Sequence, residues 1–436
     1  MQHPPFDIIQ TDVSKIQAGD WFLPMTIKEV NQHSLISEAF QKGAVGVTIQ
    51  SGEQVPAGYS VSEVPDLRQY LFKLAQLKRP LLKTKIAVVT GSNGKTTVKE
   101  LLGSIIRASH PETHFMSPAN LNTKIALATQ ILRLPESCEV ASFEMGARRV
   151  GDFEIPLSYL QPSVVALLNI GSAHVGEFGS QEKLCKEKLS GLFTPSAQIL
   201  VVPTCSEMIM AEALKAHKQV ITFGFASHSS VRILESNADT VKLAVRGLEV
   251  SFHCPFMTCE KERNVAAAVA LALALEIPLD KIKLGLAAFK GVSRRFQSFD
   301  WQGTPAIDDA FNASPESMAA GLKEFANLAK SKKSLLVLGS MLELGASSQE
   351  KHSQVAELIF KIFSPTTNVA VIGEDAVTIV ETLKSLGFPS ENTHIFSDSK
   401  SARTELSQIR SQFDIAFFKG SKSIGLDKIF QGDLCP

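Results

Sequence analysis

Short β-branched runs that end in glycine or a charged residue recur along this chain, each followed by an apolar pattern of helical period. The clearest is Lys85-Ile-Ala-Val-Val-Thr90, then Gly91-Ser-Asn-Gly94, then a pattern with Val98, Leu101, Leu102, Ile105 and Ile106 on one face. That spacing predicts strand, turn and helix. Val140–Glu144, Val164–Leu168 and Ile199–Val202 read as further strands. Near-continuous apolar strands separated by helices belong to a parallel sheet covered on both faces. A second series, Leu335–Leu338, Val369–Ile372 and Ile415–Phe418, predicts a smaller doubly wound unit. Ahead of both lie a helical pattern over Ser34–Gln41, a strand over Ala44–Ile49, and a strand–helix pair from Tyr59 through Leu67–Leu77. Lys78-Arg-Pro80 reads as a linker, because proline and the residue before it resist helix.

These patterns divide the chain at 1–82, 83–292 and 293–436, an α/β protein of three domains. The first is a small α/β unit, the second a parallel-sheet domain with a phosphate loop, and the third a Rossmann-like doubly wound domain. A length of 436 residues is too great for one core. Lys+Arg and Asp+Glu are both 44, and this zero net charge argues against a nucleic-acid partner. The longest apolar run, Val265–Leu275, is too short to span a bilayer, so no membrane insertion is expected. The first residues lack a basic segment followed by an apolar one, so no secretory signal is read there. Cys138, Cys185, Cys205, Cys254, Cys259 and Cys435 are scattered, which predicts free thiols and a cytoplasmic setting. His253, Cys254 and Cys259 lack a fourth ligand nearby.

Thr90-Gly-Ser-Asn-Gly-Lys-Thr-Thr97 carries the first chemistry. Gly91, Ser92, Asn93 and Gly94 would let backbone N–H groups close around a polyphosphate at a helix N-terminus. Lys95 would reach the terminal phosphates and the Thr96 hydroxyl a magnesium ion, with Thr97 completing the turn. The expected ligand is a nucleoside triphosphate. Only two residues separate Gly91 from Gly94, which makes this a short variant of the common loop. Glu144 closes its strand beside the loop, where a carboxylate either holds magnesium or is simply solvated. Taken alone, His174 reads as a structural histidine and Lys188 as a solvated charge. Asp308-Asp309 before Phe-Asn-Ala-Ser-Pro315 reads equally as a polar turn.

The short loop resembles that of the Mur ligases, ATP-dependent amide-forming enzymes of peptidoglycan precursor synthesis. The resemblance extends through Ser117–Asn122, Gly171–Ser180, Ile307–Pro315, Leu338–Gly345 with His352, and Lys419–Ser423. It implies that Thr96, Glu144, His174 and a carbamylated Lys188 hold two magnesium ions, with Lys95, His174 and Lys188 acting in catalysis. It implies that Asn264, Arg295, Asp309 and Asn312 contact ATP. Asp12, Ser14 and His33 would fall in a uridine-nucleotide domain, and Asn120 and Asn122 would also meet the substrate. Within the family, the pattern is most similar to the branch that joins D-alanyl-D-alanine to UDP-N-acetylmuramoyl-tripeptide, acting as a monomer.

The chain departs from the family pattern at several positions. Arg263 and Ala267 stand where histidine and a second asparagine are usual, Arg294 where glycine is, Ser340 where aspartate is, and Lys422 where arginine is. Thr26-Ile27 replaces Lys-Gly in the first unit. Rival readings are a Mur ligase adding a single amino acid, a folylpolyglutamate synthetase, and a nucleotide-dependent switch. The Asp-Asn-Pro-Arg string of the first is absent, and the loop lacks the Gly-Lys-Gly-Ser of the second. The run from His174 to Lys188 has no purpose in the third.

Overall fold

The structure, a computed structural model, describes residues 3–27, 30–55 and 60–430. Tyr59 and Cys435, named above, lie outside them. Three larger sheets follow one another along the chain, with a two-stranded ribbon of Thr26–Ile27 and Val30–Asn31 besides. The first has four parallel strands, in the order Ile9–Gln10, Trp21–Phe22, Gly46–Gln50 and Val61–Val64. The third has six, in the order Gln297–Trp301, Thr304–Asp308, Ile415–Lys419, Ser334–Gly339, Asn368–Ile372 and Thr393–Phe396. Only its first pair is antiparallel.

The central sheet has nine strands. Lys85–Thr90 lies between Val140–Glu144 and Val164–Leu167, parallel to both, with Val89 level with Glu144 and Thr90 level with Leu167. Ile199–Pro203 and Gln219–Gly224 continue the parallel part. The far edge differs from an all-parallel sheet. Val231–Ser236, Thr240–Val245 and Leu248–His253 form an antiparallel meander, turning through Arg246 and Gly247 at φ of 52° and 82°. Two positive φ values in a two-residue turn suit the twist of a hairpin. Buried and accessible positions alternate along Thr240–Val245, as expected of strands with one wet face.

The helix Lys95–Ser109 buries Val98, Leu101, Leu102, Ile105 and Ile106 completely, and packs on Lys261–Ala274 and Leu279–Ala288. Lys261–Ala274 carries the longest apolar run, and every residue from Val265 to Ala274 is buried. A helix apolar all round belongs inside a core, and among the described residues no helix is long and apolar enough to cross a membrane.

The expected linker is instead a rigid joint. The first unit's helix runs on through Lys78 into a 3₁₀ turn over Arg79–Leu81. Arg79 is buried, and its guanidinium donates to the carbonyls of Leu160, Leu82, Thr84 and Gln161 at 2.8–3.3 Å. Four carbonyl partners compensate the loss of water around the charge, so Pro80 follows an anchored residue rather than a free segment.

Helix contact is closest at Gly285, where an added Cβ would fall 2.3 Å from Ile105 Cα. Backbone cannot yield as a side chain can. Gly285→Ala is therefore expected to destabilise the central domain by about 1–3 kcal/mol or more, read as a lower urea midpoint; an unchanged midpoint would refute this close packing.

Candidate active site

The functional side chains gather where the central strands end. Gly94 takes φ 82°, and a Cβ there would lie 2.8 Å from Asn264 Oδ1, so the turn needs glycine both for conformation and for space. Asn169 ties the loop from the neighbouring strand end: its Oδ1 accepts from Ser92 and Asn93 N–H at 3.0 and 2.9 Å. Lys95 Nζ donates back to the carbonyls of Gly91 and Ser92 at 2.8 and 2.9 Å.

Lys188 arrives at the same place from the helix Gln181–Ser190. It is fully buried, and its Nζ donates to the Gly91 carbonyl at 3.3 Å. Two ammonium groups thus share one carbonyl oxygen. Burial, then repulsion from Lys95, pulls the Lys188 pKa down to about 7. Burial lowers that of Lys95 too, opposed by Glu144 and assisted by Arg295. Glu144 is the buried carboxylate on this floor. Its Oε2 accepts from the Thr96 hydroxyl and its Oε1 from the Asn122 amide, both at 2.7 Å.

These residues floor a cavity of about 860 Å³ between the central and third domains. From the central domain come Ser92, Asn93, Gly94, Lys95, Thr96, Asn120, Asn122, Glu144, His174 and Lys188. The third contributes Arg295 and Asn312. Arg295 lies 4.3 Å from the Phe311 ring centre, and its buried Nε has no hydrogen-bond partner. A buried, unpartnered guanidinium nitrogen is poised for an anion.

Other expected residues stand elsewhere. Asn264 lines a neighbouring cavity of about 210 Å³ that also borders Asn93, and its amide donates to the Cys259 carbonyl at 2.9 Å. Gly91 and Thr97 shape the loop without lining either cavity. Asp309 points inward: its carboxylate accepts from Phe296 N–H at 3.1 Å and Lys419 Nζ at 2.5 Å. It anchors the turn carrying Arg295 and does not face the cavity. Asp12, Ser14 and His33 lie on the first unit, away from both cavities. Asp12 accepts from Ser14 N–H and O–H at 3.0 and 2.7 Å, and His33 N–H donates to Asn31 Oδ1 at 3.0 Å. His352 is fully buried; its Nε2 accepts from Met341 N–H at 3.0 Å and so holds the loop leading to Glu343.

The pattern of residues missed two carboxylates that join the domains. Glu316, in the first turn of the helix Pro315–Leu328, accepts from Ser172 N–H and O–H, both at 2.8 Å. Glu343 pairs with His174, while its carbonyl accepts from Gly176 N–H at 3.1 Å. Ser314 adds a hydroxyl bond to Asn93 Oδ1 at 3.2 Å. The only local cue was Glu316 following Ser-Pro at a helix start. Backbone strain concentrates at this junction: His174, Arg294 and Glu343 take φ of 67°, 60° and 65°. Arg294 therefore keeps the conformation that suits the family's glycine, pinned by Asp308 and Asp427, each at 3.3 Å.

As for magnesium, Thr96 and Glu144 are the hard oxygen donors on the floor. Among the described residues, no three His, Cys, Asp or Glu side chains converge as a ready metal cluster. The donor set suits one hard cation, and further oxygens would have to come from substrate, water or a modified Lys188.

A phosphate loop on a central parallel sheet, joined across a cleft to a second α/β domain, defines an ATP-dependent ligase architecture. The Mur ligase middle domain matches residues 89–272, and the Mur ligase glutamate ligase domain matches residues 294–422. The chain belongs to the Mur ligase family. It is similar to the UDP-N-acetylmuramoyl-tripeptide–D-alanyl-D-alanine ligase of Bacillus subtilis, at 26% identity over 97% of this chain and 92% of that one. The same-named enzyme of Treponema pallidum is 27% identical over 97% and 93%. Among solved structures, MurF from Acinetobacter baumannii superposes with a TM-score of 0.83 at 25% identity, covering 97% and 92%.

Glu316→Ala removes both bonds to Ser172. Amide hydrogen exchange over Gly171–Gly176 is expected to rise on the order of 10-fold, with exchange in Lys95–Ser109 unchanged. Equal protection in the variant would show that Glu316 does not hold the domains together.

Proposed function

We propose that this protein joins D-alanyl-D-alanine to UDP-N-acetylmuramoyl-tripeptide at the expense of ATP, acting as a monomer in the cytoplasm. The observation that carries the reading is the convergence of Lys95 and Lys188 on the Gly91 carbonyl, beside Thr96 and Glu144, in a cleft shared by two domains. With both ammonium groups charged, Glu144 offsets only one of them, so the floor calls for a further anion. The phosphates of ATP supply one.

In the first step, an oxygen of the tripeptide's terminal carboxylate attacks the γ-phosphorus, and the bond to the β,γ-bridging oxygen breaks. ADP and an acyl phosphate result. The dipeptide's free amine then attacks the acyl carbon, the C–N bond forms, phosphate leaves with the C–O electrons, and the amine loses a proton. Side chains do little covalent work here; positioning and charge neutralisation dominate. Lys95 and the N–H groups of Gly91–Thr97 hold the phosphates in place. Arg295 meets the transferring phosphoryl group from the third domain, its turn fixed by Asp309. Asn264 borders the smaller cavity, which would take the base, and Asn312 lines the cleft. Asn122 orients Glu144, Asn120 borders the substrate, and Asp12, Ser14 and His33 take the uridine end.

Thr96 and Glu144 would hold magnesium, with His174 and a carbamylated Lys188 completing a second position. Bound magnesium would neutralise negative charge on the phosphates. A Lys188 amine with its pKa near 7 has a substantial neutral fraction at neutral pH, and that form attacks CO₂, forming an N–C bond and releasing a proton. The carbamate would turn one of two repelling cations into an anion.

ADP release with magnesium and UDP-N-acetylmuramoyl-tripeptide is expected only when D-alanyl-D-alanine is added, and not with meso-diaminopimelate, L-lysine or no amine. Turnover with a single amino acid would move the protein to another step of the family. Stripping CO₂ should lower the rate, and bicarbonate should restore it in the wild type but not in Lys188→Ala; a rate indifferent to bicarbonate would remove the carbamate from the account.

A further inference from the structure

One buried cation near this floor faces away from the phosphates. Lys99 follows Lys95 and Thr96 on the phosphate-loop helix, one turn deeper on the Thr96 side. It is completely buried, and its ammonium donates to the carbonyls of Ser117 and Ala119 at 2.5 and 2.6 Å. The Glu100 carboxylate pairs with it at 2.7 Å. Three oxygen partners make a buried charge tolerable. An apolar side chain would fill the same space without that demand, so packing alone does not account for a lysine here.

The two carbonyls open the loop Ser117–Asn122. It leaves the strand His114–Met116, which lies at the edge of the central sheet and pairs only with Val140–Glu144. Ala119 holds φ of 46°. Leu121 N–H then donates to the Pro118 carbonyl and Asn122 N–H to that of Asn120, at 3.2 and 2.8 Å. Asn122 ends the loop on Glu144, whose other oxygen takes the Thr96 hydroxyl. A circuit closes: Thr96 to Lys99 along the helix, Lys99 to the loop, the loop to Glu144, and Glu144 back to Thr96.

We propose that Lys99 is a positioning residue that fixes the cleft-lining loop Ser117–Asn122 to the phosphate-loop helix, so that ATP and the tripeptide are held in one frame. This rests on the ligase reading above. Lys99 lines neither cavity. Its carbonyl contacts set where Asn120 and Asn122 stand relative to Lys95 and Thr96. Attack of a carboxylate on the γ-phosphorus needs the two aligned, and a misplacement of about 1 Å costs on the order of 10²-fold. A nucleotide that steadies the helix therefore steadies the loop as well.

Lys99→Met keeps the bulk of the side chain and removes its ammonium. It is compared with the wild type and with Glu100→Gln, which leaves an acceptor oxygen beside Lys99. In Lys99→Met, the KM for UDP-N-acetylmuramoyl-tripeptide is expected to rise on the order of 10-fold. Hydroxylamine trapping of the acyl phosphate without dipeptide should fall about 10²-fold, while the affinity for magnesium and the non-hydrolysable analogue AMPPNP stays unchanged. Glu100→Gln should lower the urea midpoint and leave all three as they are. In the wild type, AMPPNP with magnesium should slow amide exchange at Leu121 and Asn122 together with Lys95–Ser109; in Lys99→Met it should slow the helix alone. A Lys99→Met enzyme that loses only stability, or whose defect falls on AMPPNP affinity, would overturn the proposal. So would loop exchange in the wild type that ignores the nucleotide, a result that needs no variant. A wild type that forms no hydroxamate from MgATP and the tripeptide would overturn the ligase reading, and the exchange measurement would still decide the link between loop and helix.

Discussion

Two lysine ammonium groups on one carbonyl oxygen set the terms for the rest of this structure. Lys95 and Lys188 come from different helices and meet at Gly91 O, both with pKa values depressed by burial. Like charges this close repel by a few kcal/mol at an effective protein dielectric. The surrounding fold must hold them there. Parallel strands bring the loop and Glu144 level, and a helix apolar all round supports the phosphate-loop helix from behind. The arrangement is unfavourable without an anion and favourable with one. That asymmetry is what a phosphate-binding floor requires.

The third domain answers the central one through carboxylates. Glu316 and Glu343 reach across to Ser172 and His174, whose segment leaves the central sheet next to the loop. Arg295 comes from the turn just before that domain's first strand, and Asp309 fixes the turn from within. The contacts between the domains and the cation offered to the phosphates therefore come from the same end of the third domain. Water would be excluded from an acyl phosphate only when these contacts form. The strained backbone of His174, Arg294 and Glu343 fits a junction where function, rather than local comfort, decides conformation.

Much of this was legible in the sequence wherever a local rule applied. The strand, glycine turn and helix around Lys95 follow from periodicity and from the need for positive φ. Strand ends at Glu144, Gly339 and Lys419 were visible for the same reason. The hairpins between Val231 and His253 were passed over, although their alternation and the Arg-Gly turn were present to be read. Lys78-Arg-Pro80 misled because the rule about proline says nothing of Arg79, two of whose four carbonyl partners, Leu160 and Gln161, come from far along the chain. Apart from the Ser-Pro that precedes Glu316 at its helix start, nothing local marked the roles of Glu316 and Glu343, since a contact between domains leaves no periodic trace. Asp309 faces inward because Lys419, more than a hundred residues later, claims its carboxylate.

The central claim is that the γ-phosphoryl group of ATP is passed to a carboxylate rather than to water. Hydroxylamine trapping tests it directly: the protein is supplied with MgATP and UDP-N-acetylmuramoyl-tripeptide but no dipeptide, and the hydroxamate is weighed against ADP. The account predicts hydroxamate at the tripeptide's terminal carboxyl in step with ADP, and neither in Lys95→Ala. ADP released without hydroxamate would mean that the site hydrolyses ATP and that the two lysines serve a switch instead of a ligase.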